Sequence, residues 1–252
     1  MHCAFCQNCD ISQVGVREFD SLKEYTVGQL VHEAQSVPGN LGIAFTYNEP
    51  AVFFEYMLDI AKETHYLGFK NAMITNGFIE EEPLQLLLLF IDAFNVDLKA
   101  FTDDFYRKQT HSHLEPVKRT LVNLRKAGKH VEVTNLIIPE LNDSEEEFTA
   151  MIDWIYDKLG VETVLHLSRY FPRYQMTRLS TSDAILTRCF EIASAKLHYV
   201  YLGNTGTNLQ GHDTYCSRCK SLIIKRAGYN VDTSGITTEG NCVKCGNGVV
   251  MR

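Results

Sequence analysis

The chain has 252 residues, of which 45% are hydrophobic and 22% are charged, and its formal net charge is −7. This composition is ordinary for a folded soluble protein, and the chain is long enough to bury a core without disulfide bonds. The acidic balance argues against a general nucleic-acid binder, because such proteins usually present a basic surface. No signal peptide and no apolar segment long enough to cross a bilayer are visible, so we expect a cytoplasmic protein.

Short β-branched segments alternate with longer amphipathic segments over residues 21–202. The predicted strands are residues 41–47, 70–75, 93–99, 130–138, 163–169 and 198–202, and the predicted helices lie near residues 21–36, 51–67, 80–91, 114–127, 143–159 and 180–196. This alternation predicts βα units and a parallel sheet. Five or six strands are too few for a closed eight-stranded barrel and predict a partial parallel (β/α) barrel or an open sheet. We expect the apolar run at residues 86–91 to be the buried face of a helix.

Polar side chains follow the predicted strands, at the point where each strand ends. They are residues 47–49, residues 75–77, Asp97 and Lys99, residues 139–143, and His166, Ser168 and Arg169, in strand order. Because ligands of parallel α/β proteins bind at the carboxyl ends of the strands, this placement predicts an active site there. The alternative is that these loops are polar only because loops lie at the surface.

The segment from Asp213 onward changes in composition, being rich in Gly, Cys, Thr and Asn, and we place a boundary near residues 204–213. The predicted domains are therefore residues 1–212 and 213–252. The tail carries two C-x2-C pairs separated by twenty-two residues, formed by Cys216, Cys219, Cys242 and Cys245. Four thiolates favour a structural tetrahedral zinc site, although a single iron ion fits the same ligands. The alternative is four free thiols.

The other cysteine group lies at the start of the chain, where Cys3, Cys6 and Cys9 form a C-x2-C-x2-C pattern. Three closely spaced thiolates favour an iron–sulfur cluster. A cubane cluster held by three cysteines leaves one iron without a protein ligand, so that iron can bind a small molecule. The alternative is a frayed terminus whose cysteines have no common role.

The segment Cys3-Ala-Phe-Cys6-Gln-Asn, followed by Ile-Ser-Gln at residues 11–13, resembles the cluster loop of radical S-adenosylmethionine (SAM) enzymes. The resemblance is to the branch related to pyruvate formate-lyase activating enzymes. Within it, the chain resembles the radical SAM member of the AmmeMemoRadiSam system, named for co-occurrence with AMMECR-type and Memo-type proteins. Further similar segments are residues 46–50, 74–77, 95–99, 105–107, 137–143, 166–169, 174–177, 201–204 and the tail cysteines.

The resemblance implies a [4Fe-4S] cluster whose free iron chelates SAM. Reductive cleavage of SAM then produces methionine and a 5′-deoxyadenosyl radical, which abstracts hydrogen from a substrate; the cofactor carries this chemistry. The implied partners are SAM, a substrate for which a protein is one candidate, an electron donor such as flavodoxin or ferredoxin, and Memo-type and AMMECR-type proteins. The resemblance thus implies an oxidoreductase of the activating-enzyme kind.

The resemblance also implies roles for individual residues. Cys3 and Cys6 ligate iron, and Phe5 lies against the adenine of SAM or packs in the core. Asn48 and Glu49 accept hydrogen bonds from the SAM ammonium group. The remaining implied contacts to SAM or substrate are Thr75, Asn76, Asp97, Lys99, His166 and Arg169.

The family motif is C-x3-C-x2-C, and Cys3 and Cys6 match its second and third cysteines. Its first cysteine would lie two residues before Met1, so we expect an amino-terminal truncation that also removes the first barrel strand. The alternative is that Cys9 supplies the third ligand.

Two rival functions remain open at this point. The first is an iron–sulfur electron-transfer protein that uses Cys3, Cys6 and Cys9 without SAM. The second is a catalytically degenerate barrel that acts as a binding protein through its cysteine-rich tail.

Overall fold

The computed structural model describes residues 1–19, 21–206, 209–228 and 230–249, except for the side chain of Val16. Thr207 and Asn208 of the predicted boundary, and Tyr229 and residues 250–252 of the predicted tail, lie outside the described residues. Within the described ranges, no helix has both the length and the apolar character needed to cross a membrane.

Helices and strands alternate along the first 203 residues. The helices are α1 (Cys9–Ser12), α2 (Val27–Ser36), α3 (Phe54–Tyr66), α4 (Glu81–Leu87), α5 (Asp103–Phe105), α6 (Leu114–Lys126), α7 (Glu145–Leu159) and α8 (Asp183–Ser194). Short 3-10 helices cover Val16–Glu18 and Pro50–Phe53, and a π-helix covers Tyr106–Thr110. The strands are β1 (Gly42–Phe45), β2 (Lys70–Thr75), β3 (Ala93–Asp97), β4 (His130–Ile137), β5 (Val164–Arg169) and β6 (Tyr199–Gly203), followed by β7 (Thr214–Tyr215), β8 (Leu222–Ala227) and β9 (Asn230–Asp232).

Strands β1 to β6 form one sheet in the order of the chain, and β7, β8 and β9 form a second sheet. The pairs β1–β2, β2–β3 and β5–β6 are parallel, whereas β7–β8 and β8–β9 are antiparallel. The predicted α/β fold with a parallel sheet is therefore confirmed. Each of the six predicted strands is present, with boundaries that differ by no more than three residues.

Two helix predictions were wrong in extent. The helix predicted from residue 21 begins at Val27, because Thr26 caps it: the Thr26 hydroxyl accepts a hydrogen bond from the Gln29 N–H, and the Gln29 side chain accepts one from the Thr26 N–H. This reciprocal capping box defines a helix start and leaves the preceding residues outside it.

The apolar run at residues 86–91 is not the buried face of one helix, because α4 ends at Leu87. Leu87 and Ile91 are fully buried, whereas Leu86 is 43% exposed and Leu89 is 62% exposed. After α4 the chain turns toward β3, and Leu87 and Ile91 are the side chains of this segment that face the core.

The chain divides into two compact units. The first consists of Met1–Leu98, Asp103–Glu132 and Arg173–Thr177 and includes β1, β2 and β3. Its core contains Met57, Met73, Phe94 and Leu121, each no more than 1% exposed.

The second unit consists of Lys99–Thr102, Val133–Pro172 and the described residues from Arg178 onward, and it includes β5, β6, α7 and α8. Ile152, Ile155, Leu165 and Leu167 are fully buried in it. As predicted, α7 begins beside an acidic run: Ser144 is its N-cap and accepts a hydrogen bond from the Glu147 N–H, and Glu145–Glu147 lie at the positive end of the helix dipole.

Candidate active site and metal centre

A carboxylate joins the ends of β1 and β2 in the first unit. Glu49 Oε1 accepts hydrogen bonds from Thr75 Oγ1 (2.7 Å) and from the Ala51 N–H (3.3 Å), and Oε2 accepts one from the Asn76 N–H (2.8 Å). An ionised carboxylate offers about four acceptor positions, so three donors leave room for one more. The structure thus brings together three residues for which the sequence predicted contact with SAM.

The turn after β2 depends on a glycine. Gly77 has a φ of +72°, and a Cβ there would lie 2.7 Å from Cγ1 of Val96, which is too close for any side chain. Its N–H donates to Thr75 Oγ1 at 3.1 Å. At the end of β1, Tyr47 also has a positive φ of 73°. Non-glycine residues rarely adopt this conformation, and those that do are frequently found at functional sites.

The cysteine loop at the start of the chain is attached to the same unit by hydrogen bonds. The His2 N–H donates to the Thr110 carbonyl (2.8 Å), and the Ala4 N–H donates to the Gln109 carbonyl (2.9 Å). Both carbonyls belong to the π-helix, an irregularity that occurs frequently at functional sites.

A side chain connects this loop to the end of β1. Asn8 Nδ2 donates a hydrogen bond to the Tyr47 carbonyl at 2.8 Å. Two residues further along the loop, Asp10 forms an ion pair with Arg173. The loop that carries the cysteines therefore lies beside the segment that carries Asn48 and Glu49.

The three cysteines of the loop are half-buried, and none of them forms a disulfide bond. Cys6 Sγ shares a hydrogen bond with Ser12 Oγ at 3.1 Å, and the Cys9 thiol donates weakly to Asp10 Oδ1 at 3.6 Å. Phe5, between the first two cysteines, is only 3% exposed and packs against Phe105 with ring centroids 5.8 Å apart. Its predicted contact with adenine stays a prediction.

The remaining predicted contacts to SAM divide between the two units. Asp97 ends β3 in the first unit, whereas Lys99, His166 and Arg169 belong to the second. His166 lies on β5 with its ring 5.7 Å from that of Tyr201.

Arg169 pairs with Asp183, the first residue of α8, while its Nε is buried without a hydrogen-bond partner among the described residues. The pair supports the start of α8, and a SAM or substrate contact by Arg169 stays a prediction.

The four tail cysteines converge in the second unit. Their sulfur atoms all lie within 4.8 Å of one another, and they form the only such cluster of His, Cys, Asp and Glu ligand atoms in the described part of the chain. Cys216 Sγ lies 3.6 Å from Cys245 Sγ, and Cys219 Sγ lies 3.7 Å from Cys242 Sγ. The sequence prediction that these four residues form one group is confirmed.

The two C-x2-C segments have the same backbone hydrogen bonds. In the first, the Cys216 N–H donates to the Ser221 carbonyl and the Lys220 N–H donates to the Cys216 carbonyl, both at 2.9 Å. The equivalent bonds of the second segment are Cys242 N–H to the Asn247 carbonyl (2.7 Å) and Gly246 N–H to the Cys242 carbonyl (2.8 Å). Lys220 and Gly246 occupy equivalent positions with φ of 58° and 70°. Two copies of one turn thus direct two sulfurs each toward a common point.

A hydroxyl group that the sequence reading missed contacts two of these sulfurs. Ser221 Oγ lies 2.9 Å from Cys219 Sγ and 3.5 Å from Cys242 Sγ. The Ser221 hydroxyl lowers the pKa of Cys219, and it is the largest cause that lowers the pKa of Cys242 to about 6. A serine two residues after the second cysteine was the only sequence signal for this role.

The pKa of Cys245 is shifted in the opposite direction. The Asn247 N–H lowers the pKa of Cys245, but burial and hydrogen bonds with the other three cysteines raise the pKa overall, to about 11. Four thiolates this close repel one another, so the last proton is held until a cation neutralises the group.

The first 155 residues match the family model of the Radical SAM superfamily. The chain belongs to the radical SAM superfamily. This radical SAM protein is 39% identical over 249 residues to protein MJ0808 of Methanocaldococcus jannaschii, across 97% of this chain and 72% of that protein.

It is also similar to glycyl-radical activating enzymes. It is 22% identical over 146 residues to the 4-hydroxyphenylacetate decarboxylase activating enzyme of Clostridioides difficile (strain 630), covering 56% of this chain and 46% of that enzyme. The chain therefore spans less than half the length of that relative. A crystallised domain of the pyruvate-formate lyase-activating enzyme of Bacteroides vulgatus shares the fold, with a TM-score of 0.56, 17% identity, and coverage of 65% of this chain and 99% of that domain.

The radical SAM superfamily implies SAM and a [4Fe-4S] cluster as cofactors. The cysteine loop fits such a cluster by its donor chemistry, because soft thiolates are the ligands that iron–sulfur clusters take and three cysteines without disulfide bonds lie within nine residues. The tail fits a single zinc ion, because it offers four sulfurs, two of them buried, at one point.

Proposed function

We propose that this radical SAM protein reductively cleaves SAM at a [4Fe-4S] cluster and uses the resulting 5′-deoxyadenosyl radical to abstract hydrogen from a substrate, as an activating-type enzyme. The observation that carries the proposal is the hydrogen bond from Asn8 to the Tyr47 carbonyl, which attaches the cysteine loop to the end of β1. A ligand held by the loop would therefore lie beside Asn48 and Glu49, where a polar strand end is available to bind it.

When bound, the cluster supplies the electron that cleaves SAM. Cys3 and Cys6 would hold it, and Cys9 offers the third thiol of the loop, since its contact with Asp10 is too long to compete with a metal. The loop's backbone bonds to the π-helix would hold the sulfurs in position.

Glu49 would bind the SAM ammonium group with the acceptor position that its three donors leave open. Thr75 and Asn76 would orient this carboxylate, since each already donates to it. Asn48 Oδ1 accepts a hydrogen bond from the Glu49 N–H at 2.9 Å, which would hold the backbone of Glu49 in position. Phe5, Asp97, Lys99, His166 and Arg169 complete the proposed set of contacts to SAM or substrate.

The proposed substrate is a protein, supported by the similarity to activating enzymes, and the proposed electron donor is a flavodoxin or ferredoxin. The resemblance to the AmmeMemoRadiSam system supports Memo-type and AMMECR-type proteins as partners. The proposed location is the cytoplasm, because cysteines clustered at C-x2-C spacing are typical of metal ligands in a reducing compartment.

The proposed role of the tail, residues 213–252, is to hold a structural zinc ion. Four protein ligands leave no open position for catalysis. The small core around the site, with Ile223, Ile224 and Val249, would be stabilised by the metal.

The test is anaerobic reconstitution with iron and sulfide, followed by reduction with dithionite in the presence of SAM and chromatography of the products. We expect cubane absorption and formation of 5′-deoxyadenosine, and we expect both to be lost in Cys6→Ser. The matched control is Cys189→Ala, which removes a buried thiol of α8 whose pKa burial raises to about 11. A cluster without SAM cleavage would support the electron-transfer alternative, and the absence of any cluster would support the binding-protein alternative.

A further inference from the structure

A cleft of about 1220 Å³ lies along β6, entirely within the second unit. We call it the β6 cleft and define it by Tyr199, Val200 and Tyr201 of the strand, and by Thr214, Lys220 and Arg226 of the tail. Its volume exceeds the ~300–1,000 Å³ of pockets for small molecules, and its length follows a strand. His166, a proposed contact to SAM or substrate, also lines the cleft, whereas the six residues that define it have no role in the proposed cluster chemistry.

The strand that lines the cleft is the last of its sheet, so one of its edges has no further strand beside it. Among the described residues, the far half of that edge is covered by one backbone bond, in which the Leu202 N–H donates to the Gly211 carbonyl at 2.9 Å. Val200, two residues earlier, directs its N–H and carbonyl toward the same edge, because backbone groups alternate sides along a strand. An edge of this kind pairs readily with another extended chain.

Within the described ranges, the tail side of the cleft carries two positive side chains, Arg226 and Lys220, and one carboxylate, Asp213, whose Oδ1 accepts a hydrogen bond from the Arg226 N–H at 2.7 Å. The Arg226 guanidinium lies 5.2 Å from the centroid of the Tyr201 ring and donates to the His212 carbonyl (3.0 Å) and to Thr214 Oγ1 (2.8 Å), which are all neutral groups. Lys220 is exposed. It lies in the turn of the first C-x2-C segment, where its backbone is left-handed.

The floor of the cleft is aromatic and offers hydrogen bonds. Tyr201 shares a hydrogen bond with Thr214 (2.7 Å) and packs against His166. Tyr199 is only 2% exposed, and the Ser217 side chain forms a hydrogen bond with its hydroxyl.

We propose that the β6 cleft binds an extended, acidic peptide segment of a partner protein. The segment adds a strand at the β6 edge beside Val200, where main-chain hydrogen bonds supply affinity, and an acidic side chain pairs with Arg226. Lys220 adds long-range attraction and selects against basic segments. Binding requires the metal-loaded tail but neither the iron–sulfur cluster nor SAM, so it can fail or succeed independently of the proposed function.

The test uses the full chain with zinc bound and three fluorescent eight-residue peptides in anisotropy titrations. The first alternates valine and glutamate, the second replaces glutamate with lysine, and the third is the glutamate peptide with alternate amides N-methylated, which keeps the charge but blocks strand pairing. We expect measurable binding of the first peptide alone. Equal binding of the N-methylated peptide would mean recognition of charge without strand addition and would overturn the proposal, as would equal binding of the lysine peptide or no binding at 1 mM.

Two variants locate the site. Arg226→Gln should weaken binding of the glutamate peptide by about tenfold, as expected for loss of a charge-assisted hydrogen bond. Arg226 also stabilises the tail through its hydrogen bonds to neutral acceptors, so a second variant is needed. Lys220→Asn removes the charge, and asparagine tolerates the left-handed conformation. We expect this variant to bind the glutamate peptide about threefold more weakly. The matched control is Lys158→Gln, an exposed charge on α7 outside the cleft. Unchanged affinity in both cleft variants would remove the assignment.

Discussion

Asn8 Nδ2 lies 2.8 Å from the carbonyl oxygen of Tyr47, a residue thirty-nine positions away in the sequence. The bond joins the segment that carries the first three cysteines to the segment that carries Glu49. It therefore connects the predicted metal ligands of this radical SAM protein with the carboxylate predicted to bind SAM.

Removal of this bond should loosen the site without unfolding the chain. We expect Asn8→Ala to raise the Kd for SAM by about two- to tenfold, which corresponds to the ~0.5–1.5 kcal/mol of a single hydrogen bond. Asn8→Asp, which keeps the size but cannot donate, should behave in the same way. Calorimetric titration of the reconstituted protein measures the effect, and wild-type SAM affinity in both variants would contradict it.

Glu49 should affect both stability and SAM binding, because its carboxylate accepts three hydrogen bonds. In Glu49→Gln the amide group would face a donor, either Asn76 N–H or Thr75 Oγ1, so we expect a loss of about 1–3 kcal/mol in the free energy of unfolding together with weaker SAM binding. Thr75→Val is the matched variant: it removes one donor to Glu49 and leaves the charge in place. It should lower stability in urea titrations while retaining most of the SAM affinity, whereas equal losses of SAM affinity in the two variants would mean that Glu49 acts only by supporting the strand ends.

The tail should lose its metal without affecting the cysteine loop. Cys242→Ser removes a buried ligand, so we expect loss of bound zinc, measured by elemental analysis, and exposure of the tail to limited proteolysis. Ser221→Ala keeps all four ligands but removes the hydroxyl beside two sulfurs, and should weaken zinc binding by about tenfold in chelator competition. Iron–sulfur absorption should stay unchanged in both variants, and its loss would indicate that the two metal sites are coupled.

The pH dependence of stability should include a contribution from Asp92. Burial raises the pKa of Asp92, but the hydrogen bond from the Asn71 N–H and the hydrogen bond and charge of Lys70 lower it more, so the net pKa lies below its ordinary value of 3.8. A lowered folded-state pKa stabilises the protein above the ordinary value, and this stabilisation is lost as the pH falls through the folded-state pKa. Asp92→Asn should therefore reduce the free energy of unfolding near neutral pH and have progressively less effect below pH ~4. A difference between wild type and variant that does not shrink in acid would contradict this account.

Local patterns in the sequence determined the secondary structure and the two cysteine groups. Strand and helix periods depend on near neighbours, so β1 to β6 were predicted within a few residues, and the C-x2-C spacing was enough to predict the group formed by Cys216, Cys219, Cys242 and Cys245. Helix α2 was predicted too long, because the capping box at Thr26 starts the helix at Val27 and leaves the preceding residues outside it.

Only the tertiary structure decided which polar groups meet. The bonds from Asn8 to Tyr47 and from Thr75 to Glu49 join residues thirty-nine and twenty-six positions apart, and no local period encodes such pairs. The same holds for Ser221 beside Cys242 and for Arg226 over Tyr201, since each depends on how the chain folds back through space. Periodicity specifies which face of an element is buried, whereas the partner that a polar side chain finds depends on elements that are distant in the sequence.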